Sequence, residues 1–280
     1  MSRDIFLCAI SNISSGNCSE DCSFCTQSAH YKTDIPTYKK KDIDIIIKEA
    51  IYAKKSGAIG FCLVTAGKGV DEKKLEFVCK VAKEVKSRVG ELNLIACNGT
   101  ATKEQLIELK KAGISSYNHN LETSKEFYPK ICTTHSWDER FETCLNVKET
   151  GLKLCAGGIF GLGEDEEDRV SFLNSLKELE PDSIPLNFFH PNQNLPLHQK
   201  LFDIELGLQC ISLTRKMFPD TRIMVAGGRE ITFRKRWPEI FAAGANSIVI
   251  GNYLTTKGNQ VTNDIETIKQ LGYNIAKSCK

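Results

Sequence analysis

No apolar run in this sequence approaches the ~20 residues that a membrane-crossing helix needs. The first residues, Met1-Ser2-Arg3-Asp4 before a short apolar run, have neither the length nor the small-residue cleavage site of a signal peptide. The chain is therefore expected to be cytoplasmic. Charge of one sign is also missing: 37 basic and 35 acidic residues leave a formal charge of +2. Basic residues are interspersed with acidic ones, so no basic stripe points to a nucleic-acid partner. No Gly-x-Gly-x-x-Gly follows the first strand-like run, which removes one usual reason for expecting a doubly wound dinucleotide-binding sheet.

Cysteine is what the sequence has in excess, with 12 in 280 residues. Reducing thiol pools disfavour a disulfide framework in the cytoplasm, so the excess points to metal or redox chemistry. Cys79, Cys144 and Cys210 fall in amphipathic helical stretches and Cys8 in an apolar run. These four read as small buried hydrophobes. Cys132 and Cys279 receive no role.

Short β-branched runs alternate with amphipathic stretches along the whole chain. Strands are expected at Ile5–Ile10, Ile59–Thr65, Leu92–Cys97, Ser115–His119, Lys153–Gly158, Ser183–Phe189, Arg222–Ala226 and Ser247–Ile250. Helical periodicity follows each, from Asp42–Ser56 through Trp237–Ala242 to Ile265–Ala276. Such alternation, without a linker, predicts an α/β chain: a (β/α)8 TIM-type barrel forming a single domain over residues 1–280. The connection after the first strand is about thirty residues, far above the usual two to six. Its central part, residues 14–35, is expected to carry the chemistry.

That loop reads Cys18-Ser-Glu-Asp-Cys22-Ser-Phe-Cys25. Three thiolates in C-x3-C-x2-C spacing can converge on a four-iron cluster and leave one iron open. The same three could instead hold zinc in a non-catalytic module, with His30 as fourth ligand. Cys62, Cys97 and Cys155 lie on or at the end of three predicted strands, facing the barrel, where they could bind a second metal centre.

The triplet, with Phe24 before its last cysteine, is similar to the signature of the radical S-adenosylmethionine (SAM) enzymes. Gly157-Gly-Ile159-Phe-Gly161-Leu-Gly-Glu164 resembles the segment that seats the SAM adenine in that superfamily. Within it, Cys18–Tyr31, Gly60-Phe-Cys62, Ala96-Cys97, Tyr117–Ser124, Cys155–Gly158 and Ala226–Glu230 resemble the biotin synthases. The resemblance implies a [4Fe–4S] cluster on Cys18, Cys22 and Cys25 and a [2Fe–2S] cluster on Cys62, Cys97, Cys155 and Arg229. It implies SAM contacts from Phe24, Asn120, Glu122, Arg140, Ile159 and Glu164, and dethiobiotin contacts from Asn118 and Asn187. The implied reaction is sulfur insertion into dethiobiotin, started by a 5′-deoxyadenosyl radical and using sulfur from the [2Fe–2S] cluster. A homodimer and a low-potential electron donor, flavodoxin or ferredoxin, are implied as partners, with neither nucleic acid nor membrane. Another radical SAM barrel enzyme, a mutase or a cofactor maturase, is the alternative.

Overall fold

The structure, a computed structural model, describes residues 4–278. Residues 1–3 and 279–280 lie outside the described residues, Cys279 and the ends of the expected 1–280 domain among them. The strands are β1 (Asp4–Ser14), β2 (Gly60–Thr65), β3 (Asn93–Cys97), β4 (Ile114–Asn118) and β5 (Lys153–Cys155). They continue as β6 (Gly158–Phe160), β7 (Ser183–Phe188), β8 (Arg222–Val225), β9 (Ser247–Val249) and β10 (Asn274–Ile275). Every strand pair is parallel, and β9 pairs back onto β1 through Phe6–Ser247, Leu7–Ile248 and Cys8–Val249. The sheet is thus a closed eight-stave barrel with helices between its staves, as the alternating pattern predicts.

The fifth stave departs from expectation. In place of one strand over Lys153–Gly158, β5 and β6 are separate, and both pair with β7. The break lies opposite Pro185, which has no N–H to give to a ladder. Gly157 fills the gap, where a Cβ would stand 1.9 Å from the Pro185 carbonyl oxygen. Only glycine fits there.

Helices α1 (Ile43–Lys55), α2 (Glu72–Val89), α3 (Lys103–Lys111), α4 (Trp137–Glu149), α5 (Glu166–Leu179) and α6 (Ile204–Met217) each begin at a side-chain cap. Asp42, Asp71, Thr102, Ser136, Asp165 and Asp203 accept first-turn N–H groups, each worth about 1 kcal/mol. Their apolar stripes cover the barrel: α1 buries Ile46, Ile47, Ala50 and Ala53, and α2 buries Val78, Val81 and Val85. A fully buried Val or Ile contributes about 1.5–3 kcal/mol. Among the described residues no helix is long and apolar enough to cross a membrane.

The last third of the chain differs most from the sequence expectation. A short α7 (Arg229–Phe233) follows β8, unannounced by any periodicity. The expected helix Trp237–Ala242 is a 3-10 turn (Arg234–Arg236) followed by α8 (Glu239–Ala243), because Pro238 can begin a helix but cannot lie inside one. The expected helix Ile265–Ala276 is α9 (Val261–Gln270), which begins and ends earlier. Gly272 then turns the chain at φ 79°, and β10 joins the edge of β1 at Asp4 and Ile5.

Arg229 ties these late elements together. Its guanidinium is fully buried, with Nη2 2.6 Å and Nη1 3.2 Å from the two carboxylate oxygens of Asp264 on α9. It also donates to Glu230 at 2.9 Å and lies 4.6 Å above the Trp237 ring. Removing one partner from a buried pair leaves an uncompensated charge. Asp264→Ala should therefore destabilise the fold by about 3–5 kcal/mol. Urea unfolding checks this, and a loss below about 1 kcal/mol would show that Arg229 is solvated.

Candidate functional site

The cysteine loop is pinned at its neck and folded back on itself. Ser15 and Tyr38 exchange backbone hydrogen bonds of 2.9 and 3.0 Å where the loop leaves β1. Inside the neck, Cys18 N–H donates to Gln27 and Cys18 C=O accepts from Ala29, at 3.0 and 2.7 Å. Cys25 N–H donates to the Cys22 carbonyl at 3.0 Å, which closes a tight turn between two of the three thiols. Burial pushes the Cys25 thiol up to about 11, and the neighbouring charges of Cys18 and Glu122 push the same way. Burial raises Cys18 as well. Thiols that resist ionisation together in this way fit a cationic iron cluster, whose positive charge would offset their repulsion.

Zinc completed by His30 does not fit. His30 is exposed, and its Nε2 is 2.9 Å from the Ser19 carbonyl. The histidine beside the triplet is His135. Cys132 Sγ lies 3.6 Å from Cys22 Sγ and 3.2 Å from His135 Nδ1, which is also 2.7 Å from Glu20 Oε2. Ligand atoms of Cys22, Cys132 and His135 all lie within 4.8 Å of one another. The Cys22–Cys132 hydrogen bond raises Cys22 and lowers Cys132. Neither Cys132 nor His135 was singled out from sequence. Their Cys-x2-His spacing was the available signal.

At the barrel mouth a cavity of about 600 Å³ is lined by Phe24, Cys25, Asn120, Glu122, Ile159 and Asn187, among others. Glu122 sits in the left-handed region at φ 69°, and its carbonyl accepts from Ile159 N–H at 2.8 Å. Gly158 permits this approach, since a Cβ there would stand 2.4 Å from that carbonyl oxygen. Burial raises the Glu122 carboxyl while Arg140 opposes the rise, with Nη2 3.0 Å from Oε1. Arg140 also donates to Asn120 C=O at 2.6 Å and to His135 Nε2 at 3.1 Å. It stands behind Glu122 and outside the cavity wall. Glu164 likewise faces its own loop, accepting from Gly161 and Leu162 N–H at 2.9 and 2.7 Å.

Below the mouth lies the barrel lumen. Most barrels of this type fill it with branched aliphatic side chains. Here a cavity of about 360 Å³ remains, with Cys62, Cys97, Cys155, Asn118 and Arg222 in its wall. Cys62 is pushed well above the ordinary thiol range by a hydrogen bond to Cys97, by burial, and by the charges of Cys97, Cys8 and Cys155. Burial pushes Cys155 up to about 11, and Arg222 is among the groups that pull it back. Cys97 Sγ lies 3.8 Å from Asn118 Oδ1. Asn120 and Asn187 line both cavities, and Asn187 is oriented by donating to Gly158 C=O (3.1 Å) and accepting from Gly227 N–H (2.9 Å).

One assignment from sequence is corrected. Arg229 does not join the three lumen cysteines, because the αL turn at Gly228 sends it into α7 and onto Asp264. Cys8 is buried as expected and also lines the lumen cavity. Of the others, Cys144 and Cys210 are buried as expected, whereas Cys79 is partly exposed on α2.

The Radical SAM superfamily matches residues 12–201, and the Biotin and Thiamin Synthesis associated domain matches residues 185–274. A biotin synthase from Campylobacter lari is 62% identical over 275 residues, covering 98% of this chain and 99% of the relative. One from Sulfurimonas denitrificans is 59% identical over 281 residues, covering 100% of each chain. Methylornithine synthase superposes with a TM-score of 0.80 at 21% identity, covering 98% of this chain and 84% of that one. An FeFe-hydrogenase maturase from Carboxydothermus hydrogenoformans gives 0.83 at 17% identity, covering 97% and 67%. The two solved structures share the fold; the close relatives share sequence from end to end, and the chain belongs to the biotin synthase family of the Radical SAM superfamily.

Proposed function

We propose that this chain converts dethiobiotin to biotin by SAM-dependent insertion of sulfur, using one iron–sulfur site at the barrel mouth and a second in the lumen. The observation that carries this reading is the mutually interacting set of lumen thiols around Cys62, beneath the Cys18, Cys22, Cys25 loop and joined to it by cavities that share Asn120 and Asn187. Cys18, Cys22 and Cys25 hold the [4Fe–4S] cluster, and Cys62, Cys97 and Cys155 hold a [2Fe–2S] cluster. Bound cluster and SAM together supply a carbon radical able to take hydrogen from C–H groups that have no usable acidity.

The protein's own residues bind, orient and exclude water. Glu122 and Asn120 face the mouth cavity, where carboxylate and amide oxygens can accept from ribose hydroxyls. Phe24 and Ile159 supply apolar wall for the adenine. Arg140 works from behind, holding the Glu122 carboxylate and the Asn120 backbone in place. Glu164 holds the 161–162 turn, so its part is to shape the wall. Asn118 and Asn187 offer a donor and an acceptor each, which suits a ureido ring presenting N–H and C=O. The enzyme acts as a homodimer in the cytoplasm, with flavodoxin or ferredoxin as its reductant, and residues 1–280 form one domain. Mutases and maturases of the same barrel type need not share the Cys62, Cys97, Cys155 set, so its presence here favours sulfur insertion over them.

Cys18→Ser, Cys22→Ser and Cys25→Ser should each abolish SAM cleavage in anaerobically reconstituted, reduced protein. Near-normal 5′-deoxyadenosine from any of the three would sink the mouth assignment. Cys97→Ser should behave differently. It should retain the [4Fe–4S] Mössbauer signal and SAM cleavage while losing the [2Fe–2S] signal and biotin formation. Both signals persisting, with biotin still made, would reduce Cys97 to a packing residue.

A further inference from the structure

Cys132 has no part in either iron–sulfur site, yet it lies against one of the mouth cysteines. Its Sγ is 3.6 Å from Cys22 Sγ, across 110 residues of sequence. The backbone on both sides of this pair is stitched together. Ser23 N–H donates to Ile131 C=O at 2.8 Å, and Thr133 N–H donates to the Asp21 carboxylate at 2.9 Å. The residues flanking Cys22 are thus bonded to those flanking Cys132, which holds the two side chains face to face.

Neighbours also aim the Cys132 sulfur. His135 Nδ1 lies 3.2 Å from it and Thr134 Oγ1 3.7 Å, while Glu20 holds the imidazole at 2.7 Å. A disulfide brings its sulfurs to about 2.05 Å, so the remaining gap is about 1.5 Å, the scale of a side-chain rotation. The two cysteines differ in exposure: Cys132 is buried, whereas Cys22 is half-buried. A reagent from solvent therefore meets Cys22 first. Cys132 stands behind it as the thiol that resolves the product.

We propose that Cys22 and Cys132 form a disulfide when the mouth site is without its cluster and a small-molecule disulfide, such as oxidised glutathione, is present. The Cys22 thiolate attacks one sulfur of the reagent, forming a mixed disulfide and releasing one thiol. Cys132 then attacks the Cys22 sulfur, forming the internal bond and releasing the second thiol. Two cysteines are oxidised to one disulfide, one small disulfide is reduced to two thiols, and the two cysteine protons leave on those thiols. The bond shields Cys22 from irreversible oxidation, since thiols restore a disulfide but not a sulfinic acid. It also takes one ligand from the [4Fe–4S] site, so that iron loads only after reduction. This second effect rests on the reading of Cys18, Cys22 and Cys25 as the cluster ligands.

Disulfide mapping in the full chain tests this. Protein freed of iron anaerobically is treated with oxidised glutathione, its remaining thiols are alkylated, and it is digested without reduction. Mass spectrometry should find the Cys22 and Cys132 peptides joined, with Cys18 and Cys25 alkylated, and dithiothreitol should separate them. Cys132→Ala should lose the joined peptide and retain glutathione on Cys22. Glutathione persisting on Cys22 in the wild type, or a bond from Cys22 to Cys18 or Cys25, would overturn the pairing. Protein loaded anaerobically with iron and sulfide should be spared for as long as its [4Fe–4S] signal persists. Pairing as fast as in stripped protein, with that signal unchanged, would remove the gate on loading and the place of Cys22 in the cluster, while leaving the pairing itself demonstrated.

Discussion

Three residue pairs, Phe6–Ser247, Leu7–Ile248 and Cys8–Val249, close the barrel between β1 and β9. Without that seam the sheet would have two edges and no inside. With it, the period-two alternation of every strand becomes a division between a helix-covered outer face and a lumen. The chemistry depends on that division, because thiols from strands far apart in sequence meet only across a closed lumen. The small side chains at Gly60, Cys62, Cys97, Ser116 and Cys155 then leave space that Leu or Ile would fill in an ordinary barrel core.

The two sites are built by different means. Lumen thiols sit on strands whose backbone is fixed by ladders on both sides, so their separation is set by register. The mouth thiols sit on a loop that has no ladder of its own beyond a few bridges. Its order comes from side chains instead. Asp21 accepts from Thr133 and Thr134, Glu20 meets His135, and Cys132 meets Cys22, so the loop is docked on the segment before α4. Arg140 extends the same network to Glu122 and Asn120. A change at Glu122 or Asn120 in the mouth cavity is thereby mechanically connected to the cysteine loop.

Much of this was legible in the sequence because it is local. The C-x3-C-x2-C spacing lies within eight residues, and the strands carrying Cys62 and Cys97 sit in short apolar runs between helical stretches. What was not legible depended on direction or on distant partners. Arg229 follows the strand of interest by only a few residues, yet Gly228 at φ 80° redirects it, and its partner Asp264 lies 35 residues further on. Cys8 reads from sequence as a small buried hydrophobe, which it is, and its parity with Ile10 marks it as inward-facing once the strand is known. The break between β5 and β6 originates in Pro185, a residue of the neighbouring stave, which no reading of the fifth stave alone could supply. Helix ends near Pro238 and Gly272 were misplaced for a simpler reason: apolar periodicity outweighed the two residues that interrupt it.

The central claim is that the lumen thiols hold the sulfur source for a reaction begun at the mouth. A single-turnover experiment addresses it directly. Protein reconstituted with iron and 34S-labelled sulfide, then freed of excess reagents, is mixed anaerobically with dethiobiotin, SAM and a low-potential reductant. The biotin produced is analysed by mass spectrometry. The account predicts biotin carrying the 34S label, in an amount not exceeding the protein. Biotin without the label, or steady cleavage of SAM with no biotin at all, would contradict it.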